Sequence, residues 1–159
     1  MINVKGEAII DKKIEDVWEI MGNQFAKVHV WCSNFKTSKP GGPSKFSGLN
    51  YSHRDTTTNR GQTIQELDKF DPDKYILSYH ISKGIPPIAK TAIGNWSLKS
   101  LGENKTTVII EFEVDPKNFI VSLLTPIIKK KLSTAAREIA EELKYYLEND
   151  KPHPRKEAL

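Results

Sequence analysis

From Ile2 to Ile10 apolar and polar residues alternate. Ile2, Val4, Gly6, Ala8 and Ile10 share one face and Asn3, Lys5 and Glu7 the other, a period of two that predicts a half-buried strand. The period then changes. After Asp11, which reads as a helix start, Ile14, Val17, Trp18 and Met21 recur at helical spacing, and Gly22-Asn23 can end the element. Phe25 to Trp31 is a second short apolar segment, read as a helix that turns a corner. Ser38 to Gly48 holds two prolines and three glycines and reads as loop.

Period two returns beyond it. Asn50–Thr58, Gln62–Phe70, Tyr75–Ser82, Ile88–Leu101 and Thr106–Asp115 read as strands, separated by breaks at Asn59-Arg60-Gly61, Asp71-Pro72-Asp73, Gly84 to Pro87 and Gly102 to Asn104. In the last of them Val108, Ile110, Phe112 and Val114 face one way and Glu111 and Glu113 the other. That is the signature of an antiparallel meander with one wet face.

Thr125-Pro126 then opens a helix, a cap residue before a proline at the first helical position. Ile128, Leu132, Ala135, Ala136, Ile139, Leu143 and Leu147 step by three and four to about Glu148, which makes the helix roughly 35 Å long. Such a stripe needs a surface to bury it, and the concave face of the sheet supplies one. The expectation is an α+β domain over residues 1–149: a curved antiparallel sheet of six or seven strands wrapped around a long C-terminal helix, with two short helices after the first strand. Residues 150–159, with Pro152-His153-Pro154, read as a flexible tail. A long helix on a bent sheet leaves a space that is either filled core or a ligand cavity.

Composition narrows the class. Hydrophobic residues make up 38% of the 159, enough for a core, and no apolar run reaches the roughly 18 residues of a membrane span. The net charge of +4 comes from interspersed signs, a solvated mixed surface rather than a nucleic-acid stripe. One cysteine, Cys32, fits a reducing compartment, and Met1–Ile10 lacks a signal-like apolar stretch, so a cytoplasmic location is expected. No Ser-His-Asp order, phosphate loop or dinucleotide fingerprint is present, and no cofactor is expected. His29 and Cys32, three apart, are two ligands without a third, so no metal site is expected.

The order of elements resembles the helix-grip superfamily, also called START-like or SRPBCC, and within it the polyketide cyclase/dehydratase and lipid-transport branch. The resemblance runs from Ile2 to Leu147. It is carried by Ala8-Ile9-Ile10-Asp11 with Val17-Trp18, Trp31 before the loop, Gly48 and Arg54 ahead of Gly61 and Glu66, Asp71-Pro72, Ser78-Tyr79 with Ile81, Asn95-Trp96 and Thr107-Val108. The arginine that the resemblance implies after the glycine is Arg54 or Arg60. The resemblance implies a cavity for a small hydrophobic or amphipathic molecule, but no single reaction, since fold does not give function.

The candidate site residues are Arg54, Glu66, Tyr79, Trp96, Trp31, His29 and Phe112. Arg54 and Glu66 lie on adjacent strands of a hairpin. Facing inward they would form a buried ion pair, which is costly and therefore points to function; facing outward they would be an ordinary surface pair. Ile64, on the face of Glu66, reads as buried and favours the first. Tyr79 shares a face with Leu77 and Ile81, and its hydroxyl needs a partner there. Trp96 walls the same space or fills it. Trp31 and His29 cover one end. Three readings stay open: a ligand-binding module, a cyclase or dehydratase in which Glu66, Tyr79 or a histidine moves protons with Arg54 as a further catalytic candidate, and a partner-binding accessory protein, as monomer or homodimer. Phe119 to Leu124 reads as closing the cavity mouth with Lys129-Lys130-Lys131 as the wet side of the helix; the alternative is transient contact with an anionic membrane.

Overall fold

The computed structural model describes residues 1–158. Seven strands form one antiparallel sheet: β1 (Ile2–Ile10), β2 (Thr37–Gly41), β3 (His53–Thr58), β4 (Gly61–Asp71), β5 (Ile76–Lys83), β6 (Ala89–Gly102) and β7 (Lys105–Pro116). Their order is β1-β7-β6-β5-β4-β3-β2. After β1, the first strand in the chain and one edge of the sheet, the chain crosses to the opposite edge through α1 (Ile14–Trp18), which continues as a π turn to Asn23, and a kinked 3-10 segment (Phe25–Val30). It then returns strand by strand to pair β7 with β1. The long helix α3 (Thr125–Asn149) packs on β1 and β7, preceded by the single turn α2 (Phe119–Ser122). This is the helix-grip arrangement.

Two boundaries differ from the sequence expectation. The first helix begins at Ile14, not Asp11, because the Lys12 carbonyl accepts a hydrogen bond from Thr106 Oγ1 (2.8 Å) and keeps the chain extended through Lys13. The Ser38–Gly48 loop contains most of β2. Pro40 is tolerated there because β2 is an edge strand, with no neighbour on its far side to want the missing N–H.

The helix meets the sheet closely at one point. A side chain on Gly6 would run into the α3 backbone at Ala136 and Arg137, so the crossing needs glycine on the strand and a small residue on the helix. Ala136 and Ala140 are fully buried there, with Ile139 and Leu143 beside them. The curl of the sheet has a local cause. In β4 the pairing with β5 shifts between Ile64 and Gln65 and again between Leu67 and Lys69, and such bulges bend and twist a strand.

The space between sheet and helices is packed with side chains rather than open, contrary to the expected cavity. Phe25, Trp31, Phe35, Tyr79 and Trp96 fill it. Two shallow, open grooves lie where β1 meets α3, lined by residues such as Glu7, Arg137 and Lys144. Phe119, Ile120, Leu123 and Leu124 do not close a mouth either; all four side chains are exposed.

Residues 150–158 do not hang free, as a flexible tail would. Pro154–Glu157 forms a short helix, α4, capped by His153, whose Nδ1 accepts from Arg155 N (3.0 Å). Arg155 reaches Glu141 (3.0 Å) and Glu142 (3.3 Å) on α3, and Lys156 Nζ donates to the Phe35 carbonyl (2.6 Å).

Candidate functional site

Arg54 is the centre of the core. It enters from β3, and its guanidinium is fully buried. Nε donates to Gln65 Oε1 (2.7 Å) on β4, and Nη1 to the Phe25 carbonyl (2.9 Å) in the 3-10 segment. The guanidinium carbon stands 3.7 Å from the ring centroid of Phe25 and 5.1 Å from those of Phe35, Tyr79 and Trp96. No carboxylate among the described residues pairs with it. Nη2 and, in the same cluster, Trp96 Nε1 make no well-formed hydrogen bond among the described residues; the Tyr79 hydroxyl is close enough to interact with both side chains without giving either a good one.

The electrostatics follow from burial. Desolvation pulls Arg54 down to about 10, opposed by Tyr79 and Cys32. The group is still cationic at neutral pH. Burial likewise pushes the Tyr79 phenol up, against the pull of the Arg54 charge. Four aromatic faces at roughly 0.5–2 kcal/mol each offset part of a desolvation cost of several kcal/mol. Two charge-assisted hydrogen bonds to neutral acceptors offset more. The site still carries more donors than acceptors.

Tyr79 reaches this position because of what faces it. On β6 its cross-strand partner is Gly94, where a side chain would collide with the Tyr79 ring. The ring therefore lies over the strand and meets Trp96 edge-on, with centroids 5.8 Å apart. Trp31 packs on Trp96 from above (6.3 Å). Phe112 sits one strand further on, paired with Gly94 from the other side and half-buried.

Glu66 is not part of this cluster. The register pairs Arg54 with Gln65 and His53 with Glu66, which puts Thr63, Gln65 and Leu67 inside and Ile64 and Glu66 outside. Of the two readings of Arg54 and Glu66, an inward ion pair or a surface cross-strand pair, neither is formed, because one side chain points in and the other out. Glu66 lies 3.8 Å from His80 Nε2 on the outer face, and His80 Nδ1 is held 2.9 Å from both Asp68 carboxylate oxygens. Ile64 is only half-buried, so the clue that favoured an inward Glu66 was misleading.

His29 is half-buried, with a buried Nδ1 that has no hydrogen-bond partner among the described residues. Burial, and then the charge of Lys156, hold its pKa below the usual imidazole value. Cys32 is fully buried, and burial pushes its thiol up to about 12, the reverse of what a thiolate ligand or nucleophile needs.

Four participants were not foreseen. Phe25 and Phe35 provide the faces around Arg54, and Gln65 its acceptor; the alternation Thr63-Gln65-Leu67 carried the signal for the last. Glu142 is the fourth. It is fully buried on α3 and accepts from Ser33 N (2.6 Å) and Ser33 Oγ (2.9 Å), fastening the loop that carries Trp31, Cys32 and Phe35 over Arg54.

Solved structures share the fold at low identity. A START superfamily protein from Mycobacterium smegmatis superposes with a TM-score of 0.75 at 15% identity, covering 93% of this chain and 98% of that one. The protein XoxI from Bacillus cereus gives 0.72 at 16%, covering 94% and 97%. Norcoclaurine synthase from Thalictrum gives 0.70 at 13%, covering 93% and 94%. No curated protein sequence matches the chain. The model of the family described as polyketide cyclase/dehydrase and lipid transport matches residues 1–148, and the chain belongs to that family.

Proposed function

We propose that this protein binds a small molecule with an apolar or aromatic body and an oxygen-rich, anionic head, the head seated against Arg54. One observation carries the reading: a fully buried arginine that has no carboxylate partner among the described residues, a guanidinium nitrogen with no well-formed hydrogen bond, and four aromatic rings around it. A buried cation is costly unless something is gained from it. A carboxylate or enolate oxygen would accept from Nη2, and the rings would cover the rest of the molecule. Because the core is packed, entry requires the 3-10 segment and the loop through Phe35 to move outward. The segment is already broken at Lys27, whose backbone is not helical.

A catalytic reading, cyclisation or dehydration, is favoured by one further feature, Tyr79 beside Arg54. With its pKa pushed up the phenol is a proton donor rather than a base, and Arg54 would hold a developing enolate. Glu66 and His80 face outward and supply no base.

Titration of the intrinsic tryptophan fluorescence with aromatic and fatty acids, each beside its methyl ester, tests the proposal. The acids should bind at least about tenfold more tightly than the esters, and Arg54→Met should erase the difference, as expected for a charged hydrogen bond of about 1.5–3 kcal/mol. Equal binding of acid and ester, or an Arg54→Met variant that still discriminates, would overturn it. Native mass spectrometry of freshly purified protein would identify a co-purified ligand. Tyr79→Phe separates the two readings, since it should abolish turnover while leaving binding of the acid nearly intact.

A further inference from the structure

The junction of α2 and α3 carries a surface that the Arg54 site does not use. Phe119, Ile120, Leu123, Leu124 and Ile127 have exposures of 77, 73, 65, 46 and 57%. Ile88 adjoins them, its carbonyl accepting from Lys117 N (2.9 Å). Of the run Phe119 to Ile128, only Val121 and Ile128 turn toward the core. This display is fixed. Asn118 Oδ1 accepts from Val121 N (3.0 Å), and Ser122 Oγ donates to the Asn118 carbonyl (3.1 Å). Thr125 Oγ1 donates to the Ser122 carbonyl (2.6 Å), and Pro126 starts α3.

The charge along this stretch of the chain has one sign. Between Asp115 and Glu138 there is no acidic residue, while Lys117, Lys129, Lys130, Lys131 and Arg137 fall in the same stretch. The three consecutive lysines are all exposed, one to three residues past Ile128. Large apolar side chains at the tip with a basic collar behind them match the boundary of an anionic bilayer, with hydrocarbon in front and phosphate at the level of the lysines. A second copy of the chain matches less well, because a two-fold pairing of these faces would bring two basic collars together. No helix among the described residues is long and apolar enough to cross a membrane. The contact would be one of surface insertion.

We infer that the α2–α3 junction docks the protein on anionic phospholipid bilayers, with Phe119, Ile120 and Leu123 inserted and Lys129–Lys131 paired with lipid phosphate. The inference is independent of the Arg54 site. Co-sedimentation with phosphatidylcholine vesicles, with and without phosphatidylserine, tests it. Binding should appear with phosphatidylserine and weaken as salt is raised. Phe119→Ser/Ile120→Ser and Lys129→Glu/Lys130→Glu/Lys131→Glu should each lower partitioning by about tenfold or more, with melting temperature unchanged because these side chains are exposed. Arg54→Met should bind vesicles like the parent protein. Three outcomes would refute the docking surface: no binding to phosphatidylserine vesicles, binding that neither variant weakens, or a dimer in analytical ultracentrifugation that Phe119→Ser disperses.

Discussion

Polar and apolar residues trade places at one point in β4, and the site depends on it. Gln65 goes inside and Ile64 outside, against their hydrophobicity, because the Arg54 guanidinium needs an acceptor that Ile64 cannot provide. If Arg54 is kept for ligand binding rather than for stability, removing it together with its partner should cost little. Arg54→Met alone leaves Gln65 Oε1 and the Phe25 carbonyl without a donor, at about 1–3 kcal/mol each, while removing a cation whose burial costs several kcal/mol. The double variant Arg54→Met/Gln65→Leu removes both polar side chains and leaves only the Phe25 carbonyl without its donor. In urea denaturation it should be at least as stable as the parent; a loss of more than about 2 kcal/mol would make Arg54 a structural residue. Glu66→Gln should change neither stability nor ligand affinity by more than about 0.5 kcal/mol, because Glu66 is on the wet face with His80.

Elements were more legible in the sequence than sites. The inward faces of β1 and β7 and the stripe on α3 followed from periodicity because each is continuous, with apolar residues on one side for many positions. The site was not legible in the same way, because it rests on the parity of a single strand. In β4 a half-buried isoleucine on the outer face looked like a core residue and carried Glu66 inward with it in the reading. The pairing register decided otherwise, and register depends on strands distant in sequence. The packed interior was likewise invisible: the kinked 3-10 segment delivers Phe25 and Trp31, and nothing local in their spacing shows where a kinked segment points. The α3–β1 crossing, by contrast, gives a test at the element scale. Gly6→Ala would gain roughly 0.5–1 kcal/mol from a less flexible unfolded chain. It would also push a methyl group into the α3 backbone at Ala136, which cannot give way as a side-chain tip could. Overpacking of about 1–3 kcal/mol outweighs the gain, so the melting temperature should fall. A rise would mean that α3 is not seated on β1 as described.

At the scale of the whole molecule, the C-terminal segment and the cover over Arg54 are one mechanical unit joined through Glu142. This carboxylate is fully buried, yet it is tied on one side to Ser33 N and Oγ and on the other to Arg155 Nε. The Ser33 loop continues into Phe35, whose carbonyl Lys156 also holds. Loosening the tail should therefore loosen the aromatic cover before it unfolds the sheet. The sizes of the effects should differ by exposure. Arg155 is a third exposed, so Arg155→Ala should cost only about 1 kcal/mol. Glu142→Ala leaves the half-buried Ser33 amide without its acceptor and should cost about 1–3 kcal/mol. The two losses should not add, because both variants break the same link, and a double-mutant cycle measures that coupling directly. Deleting residues 151–159 should resemble Arg155→Ala in stability but raise hydrogen exchange at Trp31 to Phe35 well above that in β6 and β7. If exchange rose evenly across the sheet, or if the two substitutions were additive, the tail would be an independent appendage and the route into the Arg54 site would lie elsewhere.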